Sequence, residues 1–266
     1  MIYTLGIDIG STTSKCVILQ DGKDILGTSI FTGGAGTSSP IKAMEMVLRE
    51  TGITKDELSA IVATGYGRTT FSEAQSQMSE LSCHARGVHH VFPSVKTIID
   101  IGGQDAKVIN LSDEGKMSNF VMNDKCAAGT GRFLDVMANI FQLTIDQLET
   151  EALKAEKAVK ISNTCTVFAE SEVISQLASG ENISNVIAGI CDSVAGRVAA
   201  LVRRTNFKED VCMSGGVAKN GAVRKAMEKE LGVSIEYSPM AQYMGALGAA
   251  IYAYDKTLNE RMKSNE

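Results

Sequence analysis

The fold turns on a stretch that occurs twice: Ile7-Asp8-Ile9-Gly10-Ser11-Thr12-Thr13-Ser14-Lys15 and Ile99-Asp100-Ile101-Gly102-Gly103-Gln104-Asp105-Ala106-Lys107. Both read I-D-I-G, three variable residues, a small residue and a lysine, so each lysine follows its aspartate by seven positions. An apolar run precedes each copy (residues 3–7 and 95–99) and another follows it (16–19 and 108–111). A turn comes next, Asp21-Gly22 in the first copy and residues 112–115 in the second. The pattern predicts strand, tight glycine loop, strand, turn, strand, made twice. Duplicated units of this kind pack about a pseudo-axis and define a cleft between them.

In a dinucleotide fold or a P-loop the glycine turn opens a helix whose N-terminus holds the phosphate. Here each loop runs into β-rich sequence, which disfavours both. The alternative is a phosphate held between two hairpin loops, with Asp8 and Asp100 at the strand ends near Mg2+. That ion prefers one or two carboxylates together with water and phosphate oxygens.

At 266 residues the chain is expected to form one large domain or two lobes around a substantial core. A net charge of −5 offers no basic surface for nucleic acid, and no Lys/Arg run marks a membrane patch. The chain opens directly on a strand, without a targeting pattern, and no apolar stretch is expected to reach bilayer length. It is therefore read as cytoplasmic, with six cysteines present as reduced thiols or metal ligands. The expected division is 1–95, with 243–266 returning to it, and 96–242, the second lobe carrying candidate ligand cysteines and a third glycine loop.

Between the copies, residues 24–33 are predicted as the third hairpin strand, 33–37 as a loop, and Pro40 suits the first turn of a helix to Thr51. Residues 59–64 read as a buried strand ending in the glycine turn 64–68, and 79–91 as a helix. Later helices are expected after residue 131, after Cys165, over 183–203 and from Gly245, with strands near 210–214 and 234–237. The loop 214–220 (Ser-Gly-Gly-Val-Ala-Lys-Asn) is small enough to let a flat base or ribose approach the backbone.

Two hairpin loops followed by such a loop resemble the actin, hexokinase and Hsp70-type ATPase superfamily. The resemblance implies an α/β protein of two ribonuclease-H-like lobes closing on Mg-ATP. By matching position Asp8 and Asp100 would be Mg-side carboxylates acting through water. Ser11, Thr12, Thr13, Ser14, Lys15, Gly102, Gly103 and Gln104 would meet phosphates, and Gly215, Gly216 and Asn220 adenosine. Gln104 and Asp105 are candidates to orient the attacking water, with Glu170 an outsider.

Cys126 and Cys165 each stand in a run of small polar residues where a helix is expected to begin, a place that stabilises a thiolate or an anionic cluster. Cys16, Cys191 and Cys212 lie in apolar contexts, and Cys83 beside His84 lacks matched partners. A [4Fe–4S] cluster takes four thiolates. Two candidates per chain would therefore require a homodimer with the cluster on its twofold axis.

The strings GIDIGSTTSK (6–15), VATGYGR (62–68), MSELSCHARG (78–87), DIGGQDAKV (100–108), MNDKCAAGTGRFLDVMA (122–138), TCTVFAESEVISQL (164–177) and GALGAAIYAY (245–254) resemble the activators of 2-hydroxyacyl-CoA dehydratases. These are ATPases of the BadF/BadG/BcrA/BcrD type, and the likeness covers nearly the whole chain. It implies a homodimer with one [4Fe–4S] cluster bridged by Cys126 and Cys165 of each subunit. It also implies Mg-ATP or ADP in each subunit, with Asp135 and Gln242 added to the nucleotide contacts. Ferredoxin or flavodoxin would supply the electron. Hydrolysis would send one electron to a transiently bound dehydratase, starting radical loss of water from an (R)-2-hydroxyacyl-CoA in amino-acid fermentation. An ATPase subunit of a benzoyl-CoA reductase and a small-molecule kinase of the same superfamily are the alternatives.

Overall fold

The computed structural model describes residues 1–162 and 165–263. In chain order these form β1 (Tyr3–Ile9), β2 (Thr13–Gln20), β3 (Asp24–Thr32), α1 (Ser39–Thr51), β4 (Leu58–Thr64), β5 (Ser76–Gln77) and α2 (Glu80–Val91). Then come β6 (Thr97–Ile101), β7 (Ala106–Leu111), β8 (Met117–Asn123), α3 (Gly131–Ile140), α4 (Ile145–Ala152), α5 (Thr166–Ala178) and α6 (Ile183–Val202). The chain ends with β9 (Val211–Ser214), α7 (Gly221–Leu231), β10 (Ile235–Glu236) and α8 (Met244–Lys263). Two compact units result: residues 1–95, 111–117 and 242–266, and residues 96–110 and 118–241.

Each unit is built on a five-stranded mixed sheet, in the order β3-β2-β1-β4-β5 and β8-β7-β6-β9-β10. In both, the hairpin partner is antiparallel (β1 with β2, β6 with β7) and the strand on the other side is parallel (β1 with β4, β6 with β9). The duplication read in nine residues therefore extends to a five-strand topology. In the first unit, Asp21 (φ 50°) and Gly22 (φ 70°) both take left-handed backbone in the three-residue loop between β2 and β3, where Lys23 N donates to the Gln20 carbonyl at 3.1 Å.

The core of the first unit fills from Leu5, Ile7 and Ile9 on β1, Ile18 on β2, Ile61 on β4 and Val47 on α1. On the other side α8 lies close to α2, and a Cβ on Gly248 would collide with the Cys83 carbonyl, so the small residues of the C-terminal helix set how near the two helices come. In the second unit α6 is the central helix, with Val186, Ile190, Val194, Val198 and Val202 packed among Ile99, Phe133, Met137 and Val211.

Three expectations are corrected. First, α6 is 20 residues long with a mean hydropathy of 1.5, so one stretch does reach membrane-spanning length; 67% of its apolar window is buried in the unit's own core. Second, α4 was not expected. Its signal was a capping box, Thr144 with Gln147, in which Thr144 N donates to Gln147 Oε1 at 2.8 Å. Third, Cys126 does not begin a helix. Gly129 (φ 83°) and the extended Thr130 delay α3 to Gly131, leaving Cys126 in the preceding loop. Cys165, by contrast, is the N-cap of α5. In the run Ser162-Asn163-Thr164-Cys165, Asn163 and Thr164 lie outside the described residues.

Candidate nucleotide and cysteine sites

The seven-residue spacing has a structural meaning in each unit. Asp8 faces Lys15 across the β1–β2 hairpin, and Asp100 faces Lys107 across β6–β7. Each lysine lies with Nζ 3.4 Å from Oδ2 of its aspartate. The glycine loops also match: Gly10 N donates to the Thr13 carbonyl at 3.0 Å, and Gly102 N to the Asp105 carbonyl at 2.9 Å.

The two sites differ in how the charges are held. Lys107 is buried with two carboxylates, since Asp105 Oδ2 stands 2.7 Å from Nζ, and Ser214 Oγ donates to Asp100 Oδ1 at 2.7 Å. In the first unit Asp8 Oδ1 is buried and has no hydrogen-bond partner among the described residues. A buried carboxylate oxygen left without a donor suits a cation or an ordered water. This is the observation that fits a magnesium ion on the Asp8 side.

The parallel strand supplies the rest of each site. Thr64 pairs with Asp8 and Ser214 with Asp100, each at the end of its strand and followed by a glycine of positive φ, Gly65 (85°) and Gly215 (83°). A Cβ on Gly65 would stand 2.5 Å from Asp8 Oδ1, and one on Gly215 3.0 Å from Asp100 Oδ1. Both glycines are therefore required by conformation and by space. The turn at 64–68 is thus the counterpart of the loop at 214–220, a pairing that register reveals and sequence alone left open.

The remaining candidates fall as follows. Thr12 and Gln104 are exposed, while Ser11, Thr13, Gly102 and Gly103 are partly exposed on their loops. Ser14 is buried with Oγ 2.8 Å from Ser39 Oγ, an internal contact of the hairpin with the start of α1. Asp135 and Gln242 are half-buried, as are Gly215 and Gly216. Asn220 caps α7, accepting from Val223 N at 3.0 Å, while its Nδ2 is buried without a partner among the described residues. Glu170 lines a cavity of about 500 Å3 with Val136, Asn139, Ile140, Ile174 and Leu177.

Of six free cysteines, Cys16, Cys83, Cys191 and Cys212 are buried, and Cys126 and Cys165 are exposed. Burial pushes the Cys83 and Cys191 thiols up to about 12, and those of Cys16 and Cys212 upward as well. Those four are inert apolar groups. Asn123 holds the Cys126 loop, donating from Nδ2 to the Cys126 carbonyl (2.9 Å) and accepting from its N–H at Oδ1 (3.3 Å). The same loop leads into α3, whose first N–H groups reach the phosphate loop: Gly131 N donates to Gly102 O at 2.9 Å and Arg132 N to Gly103 O at 2.8 Å.

Comparison with known proteins bears on this arrangement directly. The pattern of one ATPase family matches residues 5–253. The chain belongs to the BadF/BadG/BcrA/BcrD ATPase family. It is 56% identical to the (R)-2-hydroxyglutaryl-CoA dehydratase activating ATPase of Acidaminococcus fermentans, over 96% of this chain and 98% of that one. The solved activator of the 2-hydroxyisocaproyl-CoA dehydratase from Clostridium difficile, with bound ADPNP, matches at 48% identity and a TM-score of 0.96, covering 98% of each chain. A ROK family glucokinase from Streptomyces griseus matches at 12% identity and a TM-score of 0.59, over 95% of this chain and 99% of that one, which shows the shared fold alone. The α/β architecture of two actin/hexokinase/Hsp70-like sheets is thereby established for this family member.

Proposed function

We propose that the chain is an ATP-hydrolysing activator that passes one low-potential electron to a 2-hydroxyacyl-CoA dehydratase. The observation that carries this is the connection between a thiol and a phosphate loop: Cys126 lies in the segment that ends in α3, and the α3 N-terminus is hydrogen-bonded to Gly102 and Gly103. A change at the loop when a phosphate leaves is transmitted to the cysteine segment through two main-chain bonds. An ordinary sugar kinase has no use for an exposed cysteine pair there.

The donor set suits an iron–sulfur cluster. Two exposed thiols stand apart from four buried ones, and two per chain make four in a homodimer. Beside Cys165, the α5 residues Val167, Phe168 and Ile174 are 66%, 64% and 50% exposed. An apolar strip of that kind marks a contact surface, and it supports a dimer closing over the cysteines. When bound, the cluster supplies a one-electron carrier of low potential. In this reading the hairpin loops position the nucleotide, with Asp8 and Asp100 on the metal side and Asn220, Gly215 and Gly216 toward adenosine. Ferredoxin or flavodoxin is the electron donor, and the chain works in the cytoplasm.

A coupling of about 1–3 kcal/mol between the two sites moves a one-electron potential by roughly 40–130 mV, since tenfold corresponds to about 59 mV. Relatives of similar identity are activators of different 2-hydroxyacyl-CoA dehydratases. The test is anaerobic purification followed by iron analysis, visible absorption, and restoration of dehydratase activity with ATP and a reductant. A colourless, iron-free protein that phosphorylates a small molecule would overturn the proposal.

A further inference from the structure

Arg197, a half-buried residue in the C-terminal half of α6, packs against the loop that carries Cys126. Its stem lies against the Cys126 loop, where a Cβ on Gly129 would stand 3.4 Å from Arg197 Cβ. Its guanidinium carbon is 5.4 Å from the ring centre of Phe133 on α3. Nε and Nη2 donate to Ser193 Oγ, one turn earlier on α6, at 3.3 and 3.2 Å. Arg197 also lines a cavity of about 260 Å3 together with Asn123, which holds the Cys126 main chain, and with Ala128 and Gly129.

The electrostatics agree with that placement. Partial burial lowers the Arg197 pKa from its ordinary value, and charge at Cys126 and then at Cys165 pulls it back up. A planar guanidinium fixed by a hydroxyl, an aromatic face and a glycine keeps its charge in one place, which a flexible ammonium would not.

We propose that Arg197 is a positioning residue for the cysteine site, holding a fixed positive charge that raises the reduction potential of the cluster carried by Cys126 and Cys165. The inference rests on the reading of those cysteines as ligands. One electron arrives from the reduced donor and the same electron leaves to the dehydratase. Arg197 takes neither electron nor proton. Reduction adds one negative charge to an already anionic thiolate cluster, so a nearby cation favours the reduced form.

The test uses the anaerobic holoprotein, with Arg197→Gln removing the charge and Arg197→Lys keeping it. Iron per chain, the reduced-cluster spectrum and the midpoint potential in a dye-mediated titration are measured for all three. Arg197→Gln is expected to retain iron. At the potential where the wild type is half-reduced, its ratio of reduced to oxidised cluster should fall about tenfold, a midpoint about 59 mV lower. Arg197→Lys should recover most of that shift. Wild-type protein without iron overturns the ligand reading and this inference with it. Iron-loaded Arg197→Gln with an unmoved midpoint overturns the inference alone. Loss of iron in both variants, or an equal shift in both, shows that the side chain acts through its shape and also overturns it.

Discussion

Replacing Lys107 with Met tests the electrostatic asymmetry between the two hairpins. Lys107 is 3% exposed and serves two carboxylates, Asp105 at 2.7 Å and Asp100 at 3.4 Å. Methionine preserves the length and apolar stem but strands both acids in the interior. Breaking a buried ion pair by removing one partner costs about 3–5 kcal/mol. Lys15 has a side chain 14% exposed and faces one carboxylate, Asp8, at 3.4 Å. Its loss resembles removal of a single partly solvated charged hydrogen bond, about 1–2 kcal/mol. At roughly 2–4 °C per kcal/mol, Lys107→Met should lower the transition of its unit by about 6–20 °C. Lys15→Met should lower its own by a few degrees. Differential scanning calorimetry of the apo protein resolves the two units where a single transition cannot be assumed. Adding Asp105→Asn to Lys107→Met removes one stranded charge and should recover about half of the loss. The reasoning fails if Lys15→Met is as damaging as Lys107→Met, or if the second substitution makes matters worse.

Asp8→Asn should leave iron content intact while suppressing ATP turnover, because Asp8 belongs to the unit without the ligand cysteines; turnover equal to wild type would remove it from the metal side. Cys165→Ser takes two of four ligands from a dimer, so iron should fall to background and sedimentation should shift toward monomer, whereas a full iron complement in a monomer would refute the bridge. Stability should decline steeply above about pH 9. The folded state keeps the Cys83 and Cys191 thiols protonated to about 12, the unfolded chain ionises them near their ordinary 9.0, and so the native state binds more protons across that window. Each thiol contributes about 1.4 kcal/mol of loss per pH unit, so Cys191→Ala should flatten the melting profile between pH 9 and 10. In apo protein at neutral pH, iodoacetamide should label Cys126 and Cys165 and spare the buried four until denaturant is added; mass mapping of Cys16 or Cys212 adducts under native conditions would contradict their burial.

Sequence by itself determined the duplicated hairpin, because an aspartate and a lysine seven apart around a glycine are local features fixed by strand pairing and loop length. It also separated Cys126 and Cys165 from the other cysteines, since small polar neighbours and apolar neighbours imply different surroundings. It placed α1 from Pro40, because a proline that suits a helix's first turn is a local signal. Tertiary structure decided what depends on partners far along the chain. The pairing of Asp8 with Thr64 and of Asp100 with Ser214 joins strands 56 and 114 residues apart, which is why Gly65 and Gly215 emerged as equivalents only in the folded sheets. That Asp105 is a second carboxylate on buried Lys107 was not legible, since the sequence offered Asp105 only as a candidate to orient water. Arg197 carried no motif, because its neighbours Gly129 and Phe133 are brought to it by packing around α6 and not by sequence. The 20-residue, largely apolar α6 is ambiguous for the same physical reason: a helix buried among protein and one buried in lipid share such a composition, and only the surrounding protein, which buries 67% of its apolar window, distinguishes them.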